Sequence, residues 1–122
     1  INGVTIRGRV KNAQHFMRDR QVMVVPLFSA GGMRVKIIEG MALGKPVIST
    51  PIGAEGIDHT EGLNILIART ANEFAQHIIA LIEAPDYVHM IGTEARKLIV
   101  ERYADQRIVK DLVDLYVRLR KA

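Results

Sequence analysis

With 122 residues, the chain is long enough for one compact domain and too short for two. Its apolar share of 48% and charged share of 25% exclude a disordered chain, and the absence of cysteine excludes a disulfide framework or a thiolate metal site. A formal charge of +4 invites anionic ligands, but three Phe, three Tyr and no Trp supply poor stacking platforms for single-stranded nucleic acid. No apolar run approaches the ~18 residues that suggest a membrane span.

Strand and helix signals then alternate along the chain, which predicts α/β units with parallel strands. Residues 4–8 read as a short strand ending in Gly8. Asn12 is a candidate N-cap for a short helix running to about residue 18. Residues 22–26 form a continuous apolar run, as expected for a strand covered on both faces. A small-residue loop, Phe28-Ser29-Ala30-Gly31-Gly32, precedes a helix predicted over 33–43. Gly44 supplies its C′ residue and Pro46 prevents continuation. The next strand is predicted over 46–50 and another over 63–67, with a loop at 51–56 between them. Three helices are expected after that, over 71–83, 87–101 and 106–121. Phe74, Ile78 and Ile82 form an apolar stripe on the first, and Ile108, Leu112, Leu115 and Leu119 on the last; both read as core faces.

The segment from Val22 to Pro51 is the one that points to chemistry. A buried strand, a Gly-Gly loop and a helix make a phosphate-site geometry, because ligands of open parallel sheets bind beyond the carboxyl ends of the strands. Glycines let backbone N–H groups approach an anion, and the helix N-terminus adds a partial charge of about +0.5. A tight turn alone also explains Gly31-Gly32, and the segment matches neither GxGxxG nor the P-loop pattern. Met33, Val35, Ile37, Ile38, Met41, Ala42 and Leu43 are spread around most of the helix, which predicts burial on nearly all sides. Arg34, Lys36 and Glu39 interrupt them. Lys36 and Glu39, three apart, form either an intrahelical ion pair or a site in which Glu39 accepts hydrogen bonds from a ribose cis-diol.

Gly31-Gly32-Met33-Arg34-Val35-Lys36-Ile37-Ile38-Glu39-Gly40-Met41-Ala42-Leu43-Gly44-Lys45-Pro46-Val47-Ile48, preceded by Val24-Val25-Pro26, resembles the group 1 glycosyl transferases, retaining enzymes of GT-B fold. Ile6-x-Gly8-x-Val10 upstream and Gly62-Leu63-Asn64-Ile65-Leu66 downstream resemble the same family, as do Arg102-Tyr103 and Leu115-Tyr116 near the end. The resemblance implies a Rossmann-like parallel sheet flanked by helices, a partial GT-B C-terminal domain lacking its first strands. Glu39 would hold the ribose of a nucleotide-sugar donor, the backbone amides from Gly32 through Met33 and Arg34 to Val35 would meet donor sugar and phosphates, and Lys36 would belong to the same donor site. Val10 and Asn12 fall where similar enzymes hold the nucleobase, with Asn12 replacing the commoner aspartate. The family's first glutamate falls at Gly31, a departure that leaves donor-sugar identity open.

From the start at Ile1-Asn2-Gly3, with neither initiator methionine nor signal-peptide pattern, the chain reads as part of a longer enzyme. Its expected partners are the nucleotide-sugar donor and an N-terminal acceptor domain, without nucleic acid, metal or cofactor. A cytoplasmic location is expected, with peripheral membrane association of the parent and homo-oligomerisation through an unpaired sheet edge left open. That edge is expected to be repaired by residues 4–8 beside 22–26, or by pairing between chains, since bare edges leave backbone groups unpaired.

His15, His59, His77 and His89 show no metal spacing, and neither Ser29 nor Ser49 sits in a GxSxG elbow, so no catalytic residue is assigned. A GT-B nucleotide-sugar epimerase or hydrolase domain and a basic nucleic-acid-binding module remain as alternatives. The second draws on two basic clusters. Arg7, Arg9, Lys11, Arg18 and Arg20 face Asp19 alone in the first twenty residues, and Arg118, Arg120 and Lys121 close the chain. Such clusters serve nucleic acid, anionic lipid or phosphorylated ligands equally, or simply a solvated surface.

Overall fold

A computed structural model describes residues 2–29 and 34–103, together with 114 and 117–120; the side chain of Arg34 lies outside this description. Three short strands, β1 (Met23–Val25), β2 (Val47–Ser49) and β3 (Leu66–Ile67), form a parallel sheet in the order β1-β2-β3. Met23 pairs with Val47, Val25 with Ser49, and Ser49 with Ile67. Paired residues of parallel strands share a face, so Val25, Val47 and Ile67 point one way and Val24, Ile48 and Leu66 the other. β2 is buried throughout, as the apolar run around it predicts for a strand covered on both sides.

The helices divide between the two faces. Helix α1 (Ala13–Arg18) stands before β1, and Asn12 caps it through an Oδ1 that accepts the His15 N–H at 3.0 Å. Helix α2 (Arg34–Ala42) connects β1 to β2, while α3 (Ala71–Glu83) and α4 (Pro85–Arg102) follow β3. Ile37 and Met41 of α2 join Ala95, Leu98 and Ile99 of α4 over Val25, Val47 and Ile67. Phe74 and Leu81 of α3, with Ile91 of α4, cover Ile48 and Leu66. Thr70 opens α3 by accepting the Glu73 N–H at 3.1 Å, and the Glu73 carboxylate accepts the Arg69 N–H in return. Pro85 occupies the first turn of α4, where its missing N–H costs nothing.

Several expectations need correction. Residues 4–8 form no strand: Val4 is 62% and Ile6 91% exposed, and β1 stays at the sheet edge. A strand gains its stability from a ladder partner and a covered face, and the alternation of Val4 and Ile6 supplies neither by itself. The strand expected over 63–67 contracts to Leu66–Ile67, because the Asn64 side chain accepts the Thr60 N–H at 2.8 Å and turns the chain there. On α3 the core stripe runs through Phe74, Ile78 and Leu81, leaving Ile82 71% exposed. At about 100° per residue, Ile82 drifts roughly 80° from Phe74, whereas Leu81 returns to within about 20° of it. Helix α2 is buried most deeply along one face, at Ile37, Gly40 and Met41, and half-buried at Val35, Lys36, Ile38 and Glu39, with Ala42 exposed. The helix expected over 106–121 falls mostly outside the described residues; within them Leu119 is 69% exposed and contributes no core face.

Helices α2 and α4 meet at closest range through glycines. A Cβ on Gly92 would sit 2.1 Å from the carbonyl oxygen of Gly44, which ends α2 with φ +74°. Only a residue without a side chain lets α4 pass this turn.

Candidate functional site

The loops leaving β1 and β2 are tied together at the carboxyl end of the sheet. Thr50 donates its backbone N–H to the Val25 carbonyl at 3.3 Å and its hydroxyl to the Leu27 carbonyl. The same hydroxyl oxygen accepts the Gly53 N–H at 3.2 Å. Ser49 donates its hydroxyl to the Thr50 carbonyl at 2.9 Å, and both side chains are buried. Gly53 is pressed against this knot, since a Cβ there would lie 2.4 Å from the Ser49 Oγ. Replacing Thr50 with valine keeps the shape and strands one buried donor and one acceptor. Thr50→Val is expected to lower unfolding stability by about 2 kcal/mol in urea titration, and an unchanged midpoint would show the knot to be dispensable.

The described chain leaves this floor at Ser29 and resumes at Arg34, where α2 begins. Gly31, Gly32 and Met33, which the sequence nominated as donor contacts, lie outside the described residues. Helix α2 begins at Arg34, so the backbone N–H groups of Arg34, Val35 and Lys36 belong to its first turn. The positive end of the helix dipole thus faces the crevice beyond β1 and β2.

The remaining nominated residues separate into two groups. Val10 and Lys36 line one apolar groove of about 350 Å3, with Phe16, Met17, Val24 and Gly40. Arg20 lies over the Phe16 ring at 4.5 Å from its centroid, and the Lys45 ammonium donates to the Arg18 carbonyl at 2.7 Å, pinning α1 beside this groove. Asn12 caps the helix that walls the groove, so its carboxamide oxygen is already engaged. Glu39 does not line the groove; it lies half-buried with Val35, one turn back, on the neighbouring strip of α2. No ion pair joins Glu39 to Lys36 among the described residues, which removes the purely structural partner that the spacing allowed.

Two of the histidines serve local structure. A ring nitrogen of His77 bonds the Ile67 carbonyl at 2.9 Å, and one of His59 bonds the Ile57 carbonyl at 2.8 Å. Among the described residues no three His, Cys, Asp or Glu side chains gather as metal ligands. Sequence reasoning missed Thr50 and Gly53, which read as a strand end and a loop. The available signal was a Ser-Thr pair at the end of a buried strand, where hydroxyls bond nearby backbone. Tyr103 was also missed as a clasp: its hydroxyl accepts the Asp58 N–H at 3.1 Å, beside an exposed Arg102–Asp58 pair at 3.4 Å.

Comparison with known proteins adds to this geometry. The family model described as glycosyl transferases group 1 matches residues 1–84. An uncharacterized glycosyltransferase of Methanocaldococcus jannaschii is 32% identical over 106 residues, covering 85% of this chain and 30% of that protein. A second from the same organism is 24% identical over 124 residues, covering 97% of this chain and 31% of its own length. An uncharacterized 44.6 kDa protein in the cps region of Klebsiella pneumoniae is 26% identical over 91 residues, 75% of this chain and 24% of that protein. The chain therefore spans about a quarter to a third of the relatives it matches.

Proposed function

Because the chain belongs to the group 1 glycosyl transferases, we propose that it supplies the donor-binding part of a retaining enzyme that uses a nucleotide sugar. The observation that carries this reading is the start of α2, whose first turn and positive dipole end lie at the carboxyl ends of β1 and β2. There they would meet the donor's diphosphate and stabilise it as it leaves, when its negative charge grows. Glu39 would accept hydrogen bonds from the ribose hydroxyls. Val10 and the groove beside Lys36 would receive the nucleobase, with Asn12 holding α1 in place. The sugar's bond to the diphosphate breaks, and a bond to an acceptor hydroxyl oxygen forms on the same face of the sugar. The acceptor would be held by a domain beyond these 122 residues, in a cytoplasmic enzyme. No helix among the described residues is long and apolar enough to cross a membrane.

Two results test the assignment together. The 122-residue chain should bind a nucleoside diphosphate sugar saturably in titration calorimetry, and short duplex DNA should not displace it. The same chain should show no transfer to any acceptor, because catalysis requires both substrates held in one geometry. Displacement by DNA would favour a basic nucleic-acid module, and robust turnover by the chain alone would overturn the division of labour proposed here.

A further inference from the structure

Apart from Arg20, which lines the groove beside Lys36, the two basic clusters of the sequence have no part in the donor site, yet the fold brings them together. Arg9, Val10, Lys11 and Arg120 line one open cleft of about 290 Å3, although Arg120 stands near the opposite end of the chain. Val10 is half-buried between exposed Arg9 and exposed Lys11. The chain bends at Arg9 and again at Lys11, and both cations line the cleft with Val10 between them. Arg120 reaches the same cleft from the helical residues 117–120. No carboxylate belongs to the described lining, and none of the three cations enters an ion pair among the described residues. Three like charges around one concavity repel each other and focus a positive potential into it.

We propose that this cleft binds a phosphate-dense anion carrying at least two phosphoryl charges, independently of the donor crevice at α2. Two guanidinium groups can each bond a pair of phosphate oxygens, and Lys11 adds a compact ammonium. The open mouth suits a ligand that stays partly solvated, such as free diphosphate or a bisphosphorylated lipid headgroup. Nucleic acid fits less well, because the cations gather in one cleft rather than along a stripe and no aromatic ring belongs to its described lining. A competing account is that Arg9 and Lys11 are held by the negative end of the helix bearing Arg120. Under that account no saturable anion site exists.

Calorimetric titration of the full chain with inorganic pyrophosphate separates these accounts. A saturable site is expected that Arg9→Ala and Arg120→Ala each weaken about tenfold, with each variant melting as the wild type does. Arg96→Ala, which removes the same charge from an exposed position on α4, should leave the affinity unchanged. Vesicles of phosphatidylcholine with and without a bisphosphorylated inositol lipid identify the source: retention only with that lipid points to a headgroup, and no retention points to a soluble diphosphate. The proposal is overturned by absence of a saturable site, by an Arg96→Ala loss equal to that of Arg9→Ala, or by a loss confined to Lys36→Ala. The last outcome would place the pyrophosphate at α2, leaving the donor reading intact; failure of nucleotide-sugar binding beside normal pyrophosphate binding would do the reverse.

Discussion

Glu39→Ala is expected to weaken nucleoside diphosphate binding roughly thirty- to a thousandfold, a loss of about 2–4 kcal/mol. The carboxylate sits half-buried on the second turn of a helix that buries Ile37 and Met41 completely. An acid in such a place needs a partner or an opening to solvent. The spacing offered Lys36 as the partner, but Lys36 lines the groove with Gly40 while Glu39 lies apart from it, and no ion pair connects them among the described residues. Vicinal ribose hydroxyls would supply two donors to the two carboxylate oxygens, each bond strengthened by the full charge. The alternative is that Glu39 only modulates the surface of α2. Calorimetry with a nucleoside diphosphate on both forms distinguishes them, provided melting curves are recorded beside it. Equal affinities would remove Glu39 from the site. A drop in melting temperature with unchanged affinity would return it to a structural role. Glu39→Gln should recover part of the affinity, because the amide keeps one acceptor oxygen but loses the charge.

Gly92→Ala should destabilise the fold by about 2–4 kcal/mol, even though alanine gains about 1 kcal/mol over glycine in a helix interior. The added Cβ would stand 2.1 Å from the Gly44 carbonyl oxygen and 3.0 Å from its carbon. Neither atom can swing away as a side-chain tip could. Gly44 is held by φ +74° and by its N–H bonding the Met41 carbonyl at 2.9 Å, so α4 itself must move outward. That movement carries Ile91 out of one core and Ala95, Leu98 and Ile99 out of the other, which spreads the cost over both faces of the sheet. Thr93→Ala, one position along on the exposed side, is the matching control and should change stability by less than about 0.5 kcal/mol. Urea unfolding of the two variants gives the comparison. A Gly92→Ala protein as stable as the wild type would mean that the close approach is not required.

Some parts of the molecule were legible because their causes lie within a few consecutive residues. Asn12 can cap α1 with its own side chain, Gly44 can adopt a positive φ, and Pro46 blocks further helix, whatever the rest of the chain does. Helix α3 spans the predicted 71–83, and the apolar runs around β1 and β2 became neighbours in a parallel sheet. The candidate site was half legible. Lys36 and Glu39 stood out as charges in an apolar helix, but the same spacing served an ion pair or a ligand site.

By itself, then, the sequence determined the alternation of strands and helices, their caps and stops, and the block from Gly31 to Ile48 that carries the family resemblance. These are matters of backbone restriction and periodicity, settled among near neighbours. Tertiary structure alone decided that residues 4–8 would find no ladder partner and that Leu81 rather than Ile82 would face the core. It also decided that Thr50 would stitch two loops together, that Gly92 would meet Gly44, and that Arg120 would join Arg9 and Lys11. Each of these depends on which distant segment arrives alongside, and a hydrogen bond, a steric contact or a charge cluster has no energy until its other half is in place.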